Sequence, residues 1–393
     1  MLSASAMIFD ARIQKEAQAL RDEGYKVTII YTEDKNILGN IPDLATAQAK
    51  YEEAMVGITS LPIYLQTRKL TAIPHSFRRI LQALELMVKV SFAVINNKAD
   101  YYHCHDLTPA MFALFGKFWH NGQVLYDAHE FEVPNTTGFL NTLWLAYERN
   151  MVKKCAAAIT VNESIAQEME SRYGKKVNVI MNREKFVENS LLRKTRLREK
   201  LNLPAQSKII MYVGYLNFDR GIDKTVAALA HLPDDVYFCI MGVGNVKAFR
   251  EQIDQITTSL HIKPERIMFI GPYPPEDIVY YLSDADVSVL LYQTALDENN
   301  TVNTPNKLSQ SVMARVPVLA SHNKTFPEII YNNPVGSIGE TVDEKKPEEI
   351  AAKVAHMLDP TRNEAYRKHE ELLAYTISWL QEKDKLVQIY KSL

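Results

Sequence analysis

Short runs of β-branched and aromatic residues, each followed by a stretch whose apolar positions fall at helical spacing, recur along almost the whole chain. The first clear run, Lys26-Val27-Thr28-Ile29-Ile30-Tyr31, follows Ile13, Ala17 and Leu20 at helical spacing, with Gly24 as the stop between them. The pattern continues with an apolar helix over residues 77–95, a strand at 100–105, a helix at 109–119, and strands at 123–127, 158–161 and 177–180. Short strands separated by helices imply a parallel sheet. After a charged stretch that reads as an exposed helix at 193–200, strand logic restarts at Lys208-Ile209-Ile210-Met211-Tyr212-Val213-Gly214. It repeats at 236–242, 266–271, 287–291 and 316–320. A length of 393 residues exceeds what one hydrophobic core usually organises. The expectation is therefore two doubly wound α/β domains, 1–190 and 191–370, closed by a helical segment 371–393 carrying Trp379, Leu386, Ile389 and Tyr390. Only Met1, Leu2 and Ser3 precede the first loop, where such a domain normally opens with a central strand of about five residues, so a truncated first strand is expected.

Charge and cysteine usage exclude several function classes. Lys plus Arg is 45 against 47 Asp plus Glu, a net charge of −2, so no chain-wide basic field favours nucleic acid. Cys104, Cys155 and Cys239 lack the close pairing of zinc ligands or a redox dithiol, which fits a reducing cytoplasm. The longest apolar run, 86–95, contains Lys89 and is too short to span a bilayer, and no basic-then-apolar leader opens the chain. A cytoplasmic protein is expected. Arg68, Lys69, Arg78 and Arg79 flank apolar helix residues, which admits peripheral contact with the inner face of a membrane. An amphipathic core helix with a solvated face is the simpler reading.

In a parallel sheet, ligands bind beyond the carboxyl ends of the strands. The polar residues at such positions are Asp10 and Arg12; His103, His105 and Asp106; Asp127, His129 and Glu130; Asp219, Arg220 and Gly221; and 303–307. Asp127 and His129 share a strand face, so the carboxylate can orient the imidazole and stabilise its charged form. His103 and His105 also share a face, but without further ligands the pair reads as structural. Arg220 precedes Gly221 at a helix start, where free N–H groups and a guanidinium could hold a phosphate; the alternative is pairing with Asp219 or Asp223. Thr304-Pro305-Asn306-Lys307 repeats that logic, with Thr304 as a cap, Pro305 in the first turn and Lys307 as the cation. Gly242-Val243-Gly244 reads as a strand-ending turn; Gly271-Pro272-Tyr273-Pro274 could present a rigid backbone edge and a ring to a flat base or simply turn the chain, the turn being the simpler reading.

The order of these motifs resembles the retaining nucleotide-sugar glycosyltransferases of family four, with the GT-B fold. The matching pieces are Asp10-Ala11-Arg12-Ile13 with Gly24-Tyr25-Lys26-Val27, Tyr102-His103-Cys104-His105-Asp106, Tyr126-Asp127-Ala128-His129-Glu130, Gly214 with Arg220-Gly221, Gly242-Val243-Gly244, Gly271, and Thr304-Pro305-Asn306-Lys307-Leu308. The resemblance implies two Rossmann-like domains facing a cleft. The nucleotide would sit on the second, held by Arg220, Gly221, Thr304, Asn306, Lys307 and Gln310, with Gly271 and Tyr273 bordering the base. A glycan or lipid-linked acceptor would sit on the first, near Arg12 and His105. His129, with Asp127 and Glu130, falls near the transferring sugar.

The implied reaction moves a sugar from a nucleoside diphosphate sugar to an acceptor hydroxyl in cell-surface polysaccharide or glycolipid synthesis. It would retain configuration and use no metal and no cofactor beyond the donor. If the reaction instead inverts, His129 is the natural base. A nucleotide-sugar epimerase and a weakly catalytic nucleotide-sugar-binding subunit are the alternatives on the same fold. The family's paired glutamates would fall at Val302 and Gln310, with Glu298 nearby, and Ser3-Ala4-Ser5-Ala6 replaces the glycine-rich first loop.

Overall fold

The computed structural model describes residues 1–393 apart from 5–6, 34–43, 71–72, 130–138, 272, 274, 294–305 and 324–325. The chain divides into two compact units, Met1–Asn182 with Glu382–Leu393, and Arg183–Gln381. The division thus falls after Asn182 rather than at 190. The closing segment is itself divided, its first part lying in the second unit and its last twelve residues in the first.

In the first unit the strands are β1 (Leu2–Ser3), β2 (Thr28–Glu33), β3 (Thr59–Tyr64), β4 (Tyr101–His105), β5 (Gln123–Ala128), β6 (Ala157–Thr160) and β7 (Val177–Val179). The helices are α1 (Ala11–Asp22), α2 (Leu44–Ala54), α3 (His75–Asn96), α4 (Leu107–His120), α5 (Phe139–Lys154) and α6 (Glu163–Tyr173). The sheet order is β3-β2-β1-β4-β5-β6-β7, all parallel, which reverses direction at β1 as a doubly wound sheet must. The first strand is present but only two residues long. It pairs with β2 and β4 at once, Leu2 lying beside Ile30 and Cys104. Two side groups extend that short ladder: the Met1 amine donates to the Thr28 carbonyl at 2.7 Å, and Thr32 Oγ1 donates to the Ala4 carbonyl at 2.7 Å. Asp10, read as a site candidate, caps α1 by accepting the Ile13 N–H at 3.1 Å.

The second unit begins with the single-turn α7 (Leu197–Lys200). Its strands are β8 (Lys208–Tyr215), β9 (Val236–Val243), β10 (Ile267–Ile270), β11 (Val287–Leu290), β12 (Val318–Ser321) and β13 (Gly339–Val342). Its helices continue with α8 (Ile222–Ala228), α9 (Val246–Ser259), α10 (Pro275–Leu282), α11 (Asn306–Ala314), α12 (Phe326–Tyr331), α13 (Pro347–Met357) and α14 (Pro360–Ala374). The order β10-β9-β8-β11-β12-β13 is again parallel throughout and reverses at its first strand. Strands such as β11 and β12 are buried along their whole length, as expected when helices cover both faces. The two apolar clusters of this unit centre on Met211, Val312 and Phe326, and on Ile210, Phe238 and Val354. The last helix, α15 (Trp379–Lys391), seats Tyr390 against Tyr25 and Tyr101 of the first unit, with ring centroids at 5.5 and 5.2 Å.

Candidate functional site

Strand register assembles the polar centre of the first unit. His105 on β4 lies beside Asp127 on β5, and His103 points to the same face two residues earlier. Below them, Arg12 on α1 grips Asp127 with two hydrogen bonds of 2.9 Å, donates to the Ile180 carbonyl at 2.6 Å and reaches Glu16 at 3.0 Å. Arg12 was expected to face the acceptor. It is instead 2 % exposed, and its role is to neutralise a carboxylate that sits wholly inside the protein. His105, expected on the acceptor side, and Asp127, read as orienting His129, are buried as well. His103, read as structural, stacks on His105 with centroids 4.4 Å apart and meets the Tyr390 hydroxyl at 2.9 Å.

His129 is where this network reaches solvent, its side chain 18 % exposed. Its Nε2 faces His105 Nδ1 at 3.1 Å and Asp127 Oδ2 at 3.4 Å, and its Nδ1 faces Asp106 Oδ2 at 3.7 Å. The His129 backbone N–H also donates to Asp106 Oδ1 at 2.9 Å, so Asp106 holds the residue at two points. Burial would raise Asp127, but the Arg12 guanidinium and then the His129 ring hold it well below the usual carboxylate range. Burial would lower His129, but Asp127 and then Asp106 outweigh it and raise the ring to about 9. His105 is pushed well below the ordinary imidazole range by burial and by neighbouring His103, so it stays neutral and accepts from His129 Nε2–H. His129 is therefore an imidazolium near neutral pH, a hydrogen-bond donor rather than a base. Glu130 lies outside the described residues. Glu16, His103, His105 and Asp127 could bring metal-ligating atoms within 4.8 Å of one another, but Arg12 already contacts both carboxylates and supplies the charge a cation would bring.

The second unit gathers cations around two tyrosines. Lys307, at the start of α11, donates to the Tyr292 hydroxyl at 3.0 Å and approaches that of Tyr212 at 3.4 Å. Burial works against its charge, but the two tyrosine oxygens outweigh it and raise its pKa. Gly214, one residue before the end of β8, has φ 139°, and a Cβ there would collide with Lys307 Cε, so glycine is what admits the lysine. Arg220 stacks its guanidinium 4.5 Å from the centroid of Tyr292, whose ring also lies 5.1 Å from Lys307 Nζ. Of the two sequence readings of Arg220, the pairing with Asp219 is present, its Oδ1 lying 3.3 Å from the arginine Nε. Gly221 has φ 67°, and a Cβ would strike the Leu291 carbonyl. The helix it opens, α8, has only seven residues, so positive charge at this edge comes from side chains more than from a helix terminus.

Of the other donor-side candidates, Asn306 is exposed at the start of α11 and Thr304 lies outside the described residues, as do Val302 and Glu298. Gly271 turns the chain with φ 72°, and Tyr273 stacks on Tyr281 at 3.9 Å between centroids. Gln310, expected among the residues holding the nucleotide, is buried and donates to Glu184 Oε1 at 3.1 Å. Glu184 is further tied to α11 by its backbone N–H, which donates to Ser309 Oγ at 2.9 Å. Sequence reasoning missed Tyr212, Tyr292, Glu184 and Tyr390. Tyr212 lies within the apolar run of β8 and Tyr292 just beyond that of β11, so both read as core; Glu184 and Tyr390 carry no local signal.

Comparison with known proteins gives this arrangement its class. The profile described as Glycosyltransferase Family 4 matches residues 12–182, and that described as Glycosyl transferases group 1 matches residues 193–372. The structure of Anabaena Alr3699/HepE in complex with UDP-glucose superposes with a TM-score of 0.74 over 100 % of this chain and 99 % of that one, at 15 % identity. Sucrose-phosphate synthase from Thermosynechococcus elongatus superposes with a TM-score of 0.67 over 100 % and 98 % of the two chains, at 19 % identity. A D-inositol 3-phosphate glycosyltransferase of Xylanimonas cellulosilytica is 40 % identical over 60 residues, a stretch that spans 15 % of this chain and 14 % of that protein. The fold is that of the two-domain Rossmann-like glycosyltransferases. Residues 12–182 and 193–372 thus carry the two glycosyltransferase domains that these profiles describe, one in each unit.

Proposed function

We propose that the protein transfers a sugar from a nucleoside diphosphate sugar to an acceptor hydroxyl, with the diphosphate held by Arg220 and Lys307. The observation that carries this reading is the convergence of those two cations on one ring, that of Tyr292, from different elements of the second unit. Like charges held this close repel, and Lys307 is bonded to hydroxyls rather than to a carboxylate. A diphosphate relieves that repulsion and presents several acceptor oxygens to the same donors. It is also where negative charge develops as the glycosidic bond breaks, so the same pair would stabilise the departing group without a metal.

His129 is proposed as the first unit's contribution to catalysis, as a charged donor. An imidazolium held by Asp127 and Asp106 is a poor acceptor for a hydroxyl proton at neutral pH, which favours the retaining course over inversion with His129 as base. In that course the carbon–oxygen bond to the diphosphate breaks, the acceptor oxygen bonds the same carbon, and the acceptor proton passes to a diphosphate oxygen. HepE, crystallised with UDP-glucose, supports a uridine nucleotide as the first donor to try. We assign the acceptor to the glycans or lipid-linked glycans of cell-surface polysaccharide or glycolipid assembly, on the cytoplasmic side.

A panel of nucleoside diphosphate sugars, UDP-glucose first, tests the proposal by thermal shift and by nucleoside diphosphate release with and without candidate acceptors. A donor that raises Tm and releases diphosphate only with acceptor supports transfer. Release or isomerisation without acceptor points to the epimerase, and a Tm shift with no turnover to the binding subunit. No shift with any donor refutes the site.

A further inference from the structure

Helix α3 turns its apolar side outward. Phe77, Ile80, Leu84, Val88, Phe92 and Ile95 are spaced by three or four residues, so they form one stripe along the whole helix, and they are 37–69 % exposed. A helix covering a sheet ordinarily presents polar residues on that side, while single exposed apolar residues are common and need no account. Here Val90 and Val94 already serve the core, so the outer stripe is a second apolar face. It continues onto α4: His120 Nε2 lies 2.9 Å from the Ile95 carbonyl, which sets the ends of the two helices side by side. There Phe118 and Trp119 stand 81 % and 58 % exposed.

The segment that carries the stripe has an excess of positive charge. Residues 66–98 contain Arg68, Lys69, Arg78, Arg79, Lys89 and Lys98 against the single carboxylate Glu85, in a chain whose net charge is −2. Glu85 pairs with Lys89 at 2.7 Å, which leaves the two arginines of α3, Lys98 and the turn before the helix to carry the net positive charge. Glu85 also accepts the backbone N–H groups of Gln66 and Thr67 at 2.8 and 2.9 Å and the Thr67 hydroxyl at 2.6 Å. Those bonds pin the turn Gln66–Lys69, with Arg68 and Lys69 on it, against the flank of α3. Lys89 donates to the Tyr64 carbonyl at 2.6 Å on the same flank. The stripe thus has a basic border fixed in place rather than carried on a loose segment.

We infer that α3, extended by the end of α4, docks the protein on an anionic lipid bilayer, lying in the plane of the interface. The apolar stripe enters the acyl boundary and the basic flank meets the headgroups. Among the described residues no helix is long and apolar enough to cross a membrane, so contact is of the in-plane kind. The inference goes beyond the transfer reaction, because it concerns a surface that can be assayed with no nucleotide present.

Flotation of the full chain with vesicles of phosphatidylcholine plus phosphatidylglycerol, and with phosphatidylcholine alone, tests it. Binding is expected to the first, weakened by salt, with little to the second. Trp119 emission should shift to the blue on binding, and Trp119→Phe should remove most of that shift. Each interfacial cation is worth about fivefold in partitioning, so Arg78→Glu with Arg79→Glu should lower binding more than tenfold. Val88→Ser with Phe92→Ser should lower it comparably, and because both side chains are exposed the variants should keep the parent's circular dichroism and Tm. Equal binding to neutral vesicles, binding indifferent to both variants, or a stable homodimer that binds no vesicles and dissociates in the serine variant would each overturn the inference.

Discussion

Replacing Asp106 by asparagine isolates one charge at the heart of the first unit. Asp106 has φ 69° and ψ 173°, a backbone conformation strained for any side chain; asparagine is nearly isosteric and leaves that strain unchanged, and its amide oxygen can still accept the His129 N–H. What disappears is a carboxylate oxygen 3.7 Å from His129 Nδ1. At an effective dielectric of about 20 that separation is worth about 4 kcal/mol. Asp106 is 34 % exposed, so solvent screening reduces the figure to about 1–2 kcal/mol, or about one pH unit. The His129 ring should therefore titrate near about 8 in the variant, against about 9 in the parent. The assay is an NMR titration of histidine ring signals, with His129 assigned through His129→Gln. The stability consequence has a definite sign. A raised histidine pKa contributes stability that is complete below the unfolded value of about 6.5 and is lost as pH rises through the folded value near about 9. Asp106→Asn should thus be less stable than the parent in mildly acid buffer and equal to it above about pH 9. A parent ring that titrates near 6.5, or a variant that titrates with the parent, refutes the reasoning.

Two further perturbations follow from the same geometry. Arg12→Ala leaves Asp127 buried without its guanidinium and should cost about 3–5 kcal/mol in chemical denaturation; Arg12→Lys should recover little, since one ammonium cannot reproduce the paired bonds. A cost below about 1 kcal/mol would mean that Asp127 finds another partner. Gly214→Ala forces a Cβ onto Lys307 Cε at a left-handed position and should destabilise by about 1–3 kcal/mol. It should also abolish UDP-induced stabilisation by displacing the lysine, and a variant that keeps the full UDP shift would separate Lys307 from the nucleotide.

The doubly wound sheets were legible because parallel strands buried on both faces leave continuous apolar runs, as in Val287–Leu290 and Val318–Ser321. The first strand was legible only as a truncation, since two residues make no pattern of their own, and its place is set by pairing with β2 and β4 on either side. His129 beside Asp127 followed from strand alternation, but the depth of Arg12 did not. An arginine near a strand end reads alike whether it faces a ligand or a buried carboxylate, and which holds depends on an aspartate 115 residues away. The His103–Tyr390 bond joins positions 287 apart, and Gln310 finds Glu184 across 126 residues, so neither leaves a trace in local spacing. The place of Lys307 at a helix start was legible because proline marks one; its tyrosine partners were hidden among core residues. The periodicity of α3 announced an amphipathic helix without telling which side faces outward, and the bland reading, a solvated polar face, is replaced by an exposed apolar one.

The central claim is that nucleotide binding resides in the second unit and catalysis draws on the first, and a pair of variants separates the two. UDP-dependent Tm shift and sugar transfer from UDP-glucose, or from whichever donor the panel selects, are measured on the parent, Arg220→Ala and His129→Asn. Arg220→Ala should lose both the shift and transfer, while His129→Asn should keep the shift and lose transfer. An Arg220→Ala protein that still shifts with nucleotide, or a His129→Asn protein that transfers at the parent's rate, contradicts the account.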